Sequence, residues 1–281
     1  MLERVQSLRD QLDGLTTVDD REEDRRIGTG CEALDRLLPG GAFAAGMLVE
    51  WLAERRGSGA GALAMMVARQ AVLQRQGSLV VVDRWRRFYP PAAVAWGIDP
   101  SQLIVVRGGD PVRRDTTKQG DTQKKMAAQE ELWALDQALR CPGVSAVWTW
   151  IDRLDPRAFR RLQLAAETGQ TLGLLVRPAT VRGRPTWSDA QLLVEPRQLQ
   201  LPAANFQPAV DLASNGHRRC QVTLLRQRGR AAITPVGTSV EVEIDEQQGT
   251  LREVRQRHES RHLHLAPRMA YPATQRRSAG A

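Results

Sequence analysis

From Met47 the chain reads MLVEWLAERRGSGAGALAMMVARQAVL: an apolar strand, a Gly/Ser turn and a helix. That is the layout of a phosphate-binding loop, in which backbone N–H groups at a helix N-terminus cradle phosphates. The working pattern is G-x-x-x-x-G-K-[ST]. Gly59 stands as its second glycine, but Ala60 and Gly61 follow where Lys and Ser/Thr belong, and Glu54 occupies the place of the first glycine. The turn Arg55, Arg56, Gly57, Ser58, Gly59, Ala60, Gly61 is therefore a degenerate nucleotide loop, with the frame kept and the chemistry removed. Arg55 and Arg56 bring charge but precede the glycines, and the chain's only lysines, Lys118, Lys124 and Lys125, lie far downstream. A unit charge about 4 Å from a phosphate oxygen contributes roughly 4 kcal/mol at an effective dielectric near 20. Its loss, with that of the Mg²⁺-holding hydroxyl, removes orders of magnitude of hydrolysis. The same residues would also suit an ordinary glycine-rich strand-to-helix turn.

Two other stretches hold chemically suggestive residue types. His258, Glu259 and His262 match H-E-x-x-H, which on a buried helix places two imidazoles for Zn²⁺ and a glutamate as general base. Here Arg255, Arg257 and Arg261 surround it, Pro267 follows, and no apolar face is present to hold such a helix, so no metal site is expected. His217 is the only histidine before that segment, and it offers no Ser/His/Asp set. The second stretch, RPATVRGRPTWSD (177–189), is basic with one tryptophan. Arg177, Arg182 and Arg184 suit phosphates, and Trp187 suits stacking on an unpaired base. Arg113, Arg114 and the three lysines form another basic stretch, which also reads as a solvated linker.

The elements that must position these residues follow from periodicity. Leu2, Val5, Leu8, Leu12 and Leu15 recur at helical spacing, giving an amphipathic helix suited to docking on a partner or on another copy. DDREEDRR (19–26) then reads as a charged linker. From Ile27, apolar strands and helices alternate: strands at 47–52, 78–83, 102–106, 144–150 and 171–176, helices at 61–76, 90–96, 127–139 and 156–168, with 108–125 as an exposed loop. This rhythm implies an α/β fold whose mostly parallel sheet is covered by helices on both faces. Strands at 191–194, 219–227 and 239–245 without intervening helices imply an antiparallel C-terminal side. Three parts are expected: 1–26, a core over 27–250, and an Arg-rich disordered tail over 251–281.

Composition sets the outer limits. With 42% hydrophobic residues the 281-residue chain can build a core, and no apolar run approaches the length of a membrane span. Three widely spaced cysteines fit reduced thiols and a cytoplasmic location better than a disulfide framework. The net charge of +8 points to nucleic acid or an acidic protein as partner.

IGTGCEALDRLLPGGAFAAGMLVEW resembles the entry to a RecA-type core, and VVVDRWRRFYPPAAVAWGIDPSQLIVV the strand–loop–helix that follows its P-loop helix. EELWALDQALRCPGVSAVWTWIDRLDPRAFRRLQLAAETGQTLGLLVRP and CQVTLLRQRGR are similar to ImuA-type proteins, RecA-related accessory factors of translesion synthesis. The resemblance spans 27–245. It implies a RecA-like, P-loop NTPase fold and a role in the SOS response to DNA damage. It also implies an ImuB-type Y-family-like protein and an error-prone replicative-type polymerase subunit as partners. RecA and single-stranded DNA are further candidates. RecA-type ATPases place a catalytic glutamate after the second strand and an Mg²⁺-associated aspartate at the end of a later one. The matching positions here are Trp85 and Trp150, and an indole neither accepts water's proton nor ligates a metal. With Asp152 two residues off register, the resemblance implies a pseudo-ATPase without cofactor; the alternative is a working ATPase with an unorthodox loop. Both tryptophans are expected to pack in the core.

Overall fold

The computed structural model describes residues 25–108, 118–197, 217–228 and 234–254. The expected helix bearing Leu2, Val5, Leu8 and Leu12, the basic pair Arg113 and Arg114, and the His258–His262 motif lie outside the described residues.

Strand β3 (Leu48–Ala53) is the centre of the molecule, buried along its whole length. Side chains alternate across a strand, so Val49, Trp51 and Ala53 enter one core while Leu48 and Leu52 face the other side. Around it the sheet has nine strands. On one side lie β7 (Leu172–Pro178), β6 (Val144–Trp150), β4 (Ser78–Val82) and the edge strand β5 (Leu103–Val106). On the other lie β8 (Ala190–Arg197), β9 (His217–Gln227), β10 (Ser239–Asp245) and β11 (Thr250–Glu253). Pairing is parallel from β8 to β5 and antiparallel from β8 outward to β11. A two-stranded ribbon, β1 (Arg26–Ile27) with β2 (Phe43–Ala44), and helix α1 (Glu32–Asp35) precede the sheet, α1 packing on β10 and β11. The fold class is thus α/β with a mostly parallel sheet and an antiparallel C-terminal side.

Helix α2 (Ala60–Arg75) covers one face over β3, β6 and β7. Leu63, Met65, Met66, Val67, Ala71 and Val72 are all buried, so the helix is enclosed on most sides, with Arg69 and Gln70 half-buried along its middle. The short α3 (Pro90–Ala95) follows β4. Helices α4 (Lys118–Arg140) and α5 (Pro156–Gly169) cover the opposite face and pack on each other. Asp155 caps α5 by accepting from the N–H groups of Arg157 and Ala158, both at 2.9 Å, and Pro156 fills the first turn. Gly169 ends α5 where a Cβ would stand 2.1 Å from the Leu139 carbonyl oxygen, so only glycine lets α5 approach the end of α4.

Two boundaries differ most from expectation. The 108–125 stretch is not loop throughout, because α4 begins at Lys118. Its first turns carry few apolar residues, so hydrophobic periodicity does not reveal them, while a helix nucleated on Leu132, Leu135 and Leu139 extends into polar sequence at little cost. The sheet also runs past residue 250: β11 pairs with β10 from Thr250↔Asp245 to Glu253↔Val242, and Leu251 is its one buried apolar side chain.

Candidate functional site

The loops that leave β3, β4, β6 and β7 gather at the carboxyl ends of the parallel strands, the edge at which open α/β sheets bind ligands. The glycine loop sits there in strand–turn–helix form. Gly57 (φ 77) and Gly59 (φ 96) take left-handed conformations, and Gly59 is the N-cap of α2. Two residues of β9 hold the loop from beneath: Arg218 Nη1 donates to the Gly57 carbonyl and Cys220 Sγ to that of Ser58, each at 3.1 Å. A Cβ on Gly59 would meet Cys220 Sγ at 2.6 Å, so glycine is demanded by space as well as by φ. Ser58 is buried, as is Ala60 at 1% exposure, which leaves no room for a lysine side chain at the head of α2.

Two hollows adjoin at this edge. The first, of about 440 Å³, lies between the loop and β4 and is walled by Gly57, Gly61, Val82, Phe88, Trp148 and Trp150. The second, of about 460 Å³, runs along Glu54, Arg55, Asp152, Arg153, Thr180 and Arg184. Arg56, Trp85, Arg87 and Trp150 line both and so form the shared wall of one cleft.

Trp85 and Trp150, the two tryptophans that the resemblance aligns with acidic positions, therefore line a cleft, and the expectation of core packing is corrected for Trp85, which is 42% exposed. Arg84 lies 4.8 Å and Arg87 5.9 Å from its ring centroid, stacking cations on the indole. Trp150 is half-buried, and its indole N–H donates to Asp152 Oδ1 at 3.0 Å. Trp148, two residues earlier on the same face of β6, packs on Phe88 with centroids 5.9 Å apart. Its Cζ2 lies 3.6 Å from where a Gly61 Cβ would be, which puts the indole at the first turn of α2. Asp83 does not face the cleft as a free carboxylate. It accepts the N–H groups of Arg87 (2.9 Å) and Phe88 (3.0 Å) and pairs with Arg107 (3.4 Å), shaping the turn that presents Trp85. Glu131 pairs with Arg84 at 3.2 Å; burial pushes its carboxyl up despite that cation.

The basic loop after β7 splits into separate environments. Arg177 is corrected outright as a nucleic-acid contact. It is 5% exposed and bonds through Nη1 to the fully buried Glu50, so its charge is spent inside the fold. Thr186, Ser188 and Gln191 also donate to Glu50 Oε2, at 2.6, 2.9 and 2.9 Å. Arg184 reaches the cleft, and Arg182 is exposed outside it. Trp187 is not part of the cleft: its ring lies 4.8 Å from the Arg160 guanidinium carbon and 5.9 Å from that of Arg228. Of the four loop residues expected to meet nucleic acid, only Arg184 lines the cleft.

Phe88, Trp148, Arg84, Arg87 and Arg153 are cleft residues that motif reading passes over. The alternation of arginine and aromatic side chains in RWRRFY, immediately after an apolar strand, is the signal that marks most of them. Among the described residues no group of three His, Cys, Asp or Glu side chains is placed to hold a metal ion, and no helix is long and apolar enough to cross a membrane. Compared with protein-family models and with curated proteins, the chain finds no match in either.

Burial raises the Cys220 thiol to about 11, and burial raises that of Cys31 as well, while Cys141 is exposed. Thiolate is the reactive form. Iodoacetamide at pH 8 should therefore label Cys141 rapidly in native protein, and Cys31 and Cys220 only after denaturation. Rapid native labelling of Cys220, read by peptide mass mapping, would mean that β9 does not close under the glycine loop.

Proposed function

We propose that the chain is a RecA-like domain without ATPase chemistry, acting as an adaptor in error-prone DNA synthesis after DNA damage. Its partners in this reading are an ImuB-type Y-family-like protein and an error-prone replicative-type polymerase subunit. One observation carries the non-hydrolysing part. The glycine loop keeps its strand–turn–helix geometry with Gly59 as N-cap, yet the lysine position is the buried Ala60 and both acidic positions are cleft tryptophans. Phosphoryl transfer relies on positioned cations, a metal and a residue that orients the nucleophile. Ala60, Gly61, Trp85 and Trp150 supply none of these. The resemblance over 27–245 supports the adaptor part.

Purified protein should turn over no ATP above the protein-free rate with Mg²⁺ present. Cells lacking the chain should lose damage-induced mutations while keeping homologous recombination. Mg²⁺-dependent turnover that survives substitution of Trp85 and Trp150, or a recombination defect with mutagenesis intact, would replace this reading with that of a working ATPase.

A further inference from the structure

In a working phosphate loop the anion lies against the first turn of the helix. Here that place is walled by Trp148 and Phe88, and Arg56, Arg84 and Arg87 line the same hollow. Arg56, Arg153 and Arg184 are exposed around the second hollow and have no ion-pair partner among the described residues. Of the carboxylates nearby, Asp83 is held by two backbone N–H groups and Arg107, and Glu54 pairs with Arg55 at 3.6 Å, while Asp152 accepts a neutral donor, the Trp150 indole N–H, and sets one carboxylate against the three arginines. The first hollow therefore joins aromatic faces to Arg56, Arg84 and Arg87, and the second adds Arg153 and Arg184, with Arg56, Trp85, Arg87 and Trp150 shared by both. The first turn of α2 meets the Trp148 indole, and two of the three arginines without an ion-pair partner, Arg153 and Arg184, lie around the second hollow alone.

We propose that this cleft seats single-stranded nucleic acid without a metal ion, one unpaired base entering the aromatic hollow and the flanking phosphates meeting Arg56, Arg153 and Arg184. Sequence-tolerant strand binding combines a basic track for the backbone with aromatic faces for the bases, and both are present in adjoining spaces. Each hollow lies within the range of small-ligand sites, so a base fits one while the chain continues through the other. A duplex hides its base faces, so paired DNA has no access to the aromatic faces of the first hollow. Phosphodiesters carry one charge each and need no Mg²⁺ to approach guanidinium groups. The site is distinct from Trp187, whose ring lies near Arg160 and Arg228. The inference rests on reading the loop as non-hydrolysing, which the ATP turnover measurement tests by itself.

The experiment uses the full chain and an oligothymidylate of about 12 nucleotides carrying one 5-iodouracil, irradiated with EDTA present and mapped by mass spectrometry. Crosslinks should fall on Trp85 or Phe88. Affinity should drop about ten-fold in Trp85→Ala, the size of one lost base–aromatic stack, and be retained in Trp85→Phe. Trp85 lies at the surface, 42% exposed, so both variants should stay folded, with Trp85→Phe keeping a ring for Arg84 and Arg87 and melting with the wild type. Arg56→Glu with Arg184→Glu should flatten the log–log salt dependence by about 0.7 per lost phosphate contact. Crosslinks confined to Trp187, or unchanged affinity in Trp85→Ala, would overturn the assignment. So would competition by free ATP at equal concentration, which would make the ligand a mononucleotide, or by a Glu/Tyr copolymer, which would make it an acidic peptide.

Discussion

Arg177→Met lowers the unfolding free energy by about 3–5 kcal/mol, the cost of breaking a buried ion pair from one side. The Glu50 carboxylate is fully buried in the centre of β3 and takes four donors: Arg177 on one oxygen, and Thr186, Ser188 and Gln191 on the other. Removing the guanidinium leaves a carboxylate in a low-dielectric interior with neutral donors only. Glu50→Gln strands the opposite charge. Arg177 would keep the Asp152 carbonyl at 3.4 Å and the Phe159 ring at 5.6 Å, neither of which neutralises it. The double variant Glu50→Leu/Arg177→Met should lose less than the sum of the two singles, since no uncompensated charge is left. Urea denaturation of all three checks this. Single variants within 1 kcal/mol of wild type would show that water reaches the pair. The loop consequence is separable: Thr186 and Ser188 hold the β7–β8 loop onto the sheet through Glu50, so their anchoring should fail in Glu50→Leu while Arg184 loses its fixed place on the cleft rim.

What sequence discloses here depends on whether a residue's environment is made locally. The run SLVVV, buried from Leu79 to Val82, and the stripe of Phe159, Leu162 and Ala165 each write their neighbours into their own spacing, so β4 and α5 are legible. The first turns of α4 and the strand β11 are not, because polar residues continue elements whose burial is supplied from elsewhere. The glycine loop is legible as a turn, yet the reason for Gly59 lies in Cys220 and Ile244, which approach from β9 and β10. Arg177 shows the limit most clearly. Within RPATVRGRP it looks like its neighbours Arg182 and Arg184, and only its position on β7 beside Glu50 of β3 (register Glu50↔Leu175, Leu52↔Arg177) turns it inward. Trp85 errs in the other direction: large and apolar, it is read as core, but the turn built by Asp83 carries it to the surface.

Installing the lysine and threonine of the phosphate-loop pattern should damage the protein instead of creating turnover. In Ala60→Lys/Gly61→Thr the lysine replaces a side chain that is 1% exposed and belongs to the main core. Burying an ammonium there without a partner, or pushing its stem past β9 to reach solvent, costs roughly 3 kcal/mol. The threonine adds two heavy atoms beyond a Cβ that already lies 3.6 Å from Trp148 Cζ2, so the indole must shift and its packing on Phe88 loosens. Neither change supplies a water-orienting glutamate at Trp85 or a metal-linked aspartate at Trp150. The expected result is a lower urea midpoint, increased iodoacetamide access to Cys220 as the loop lifts from β9, and no Mg²⁺-dependent ATP turnover. A stable double variant that hydrolyses ATP would show that Trp85 and Trp150 do not occupy the positions of the missing acids. The cleft would then be an ATP site lacking only its lysine and threonine, and its arginines would belong to that chemistry.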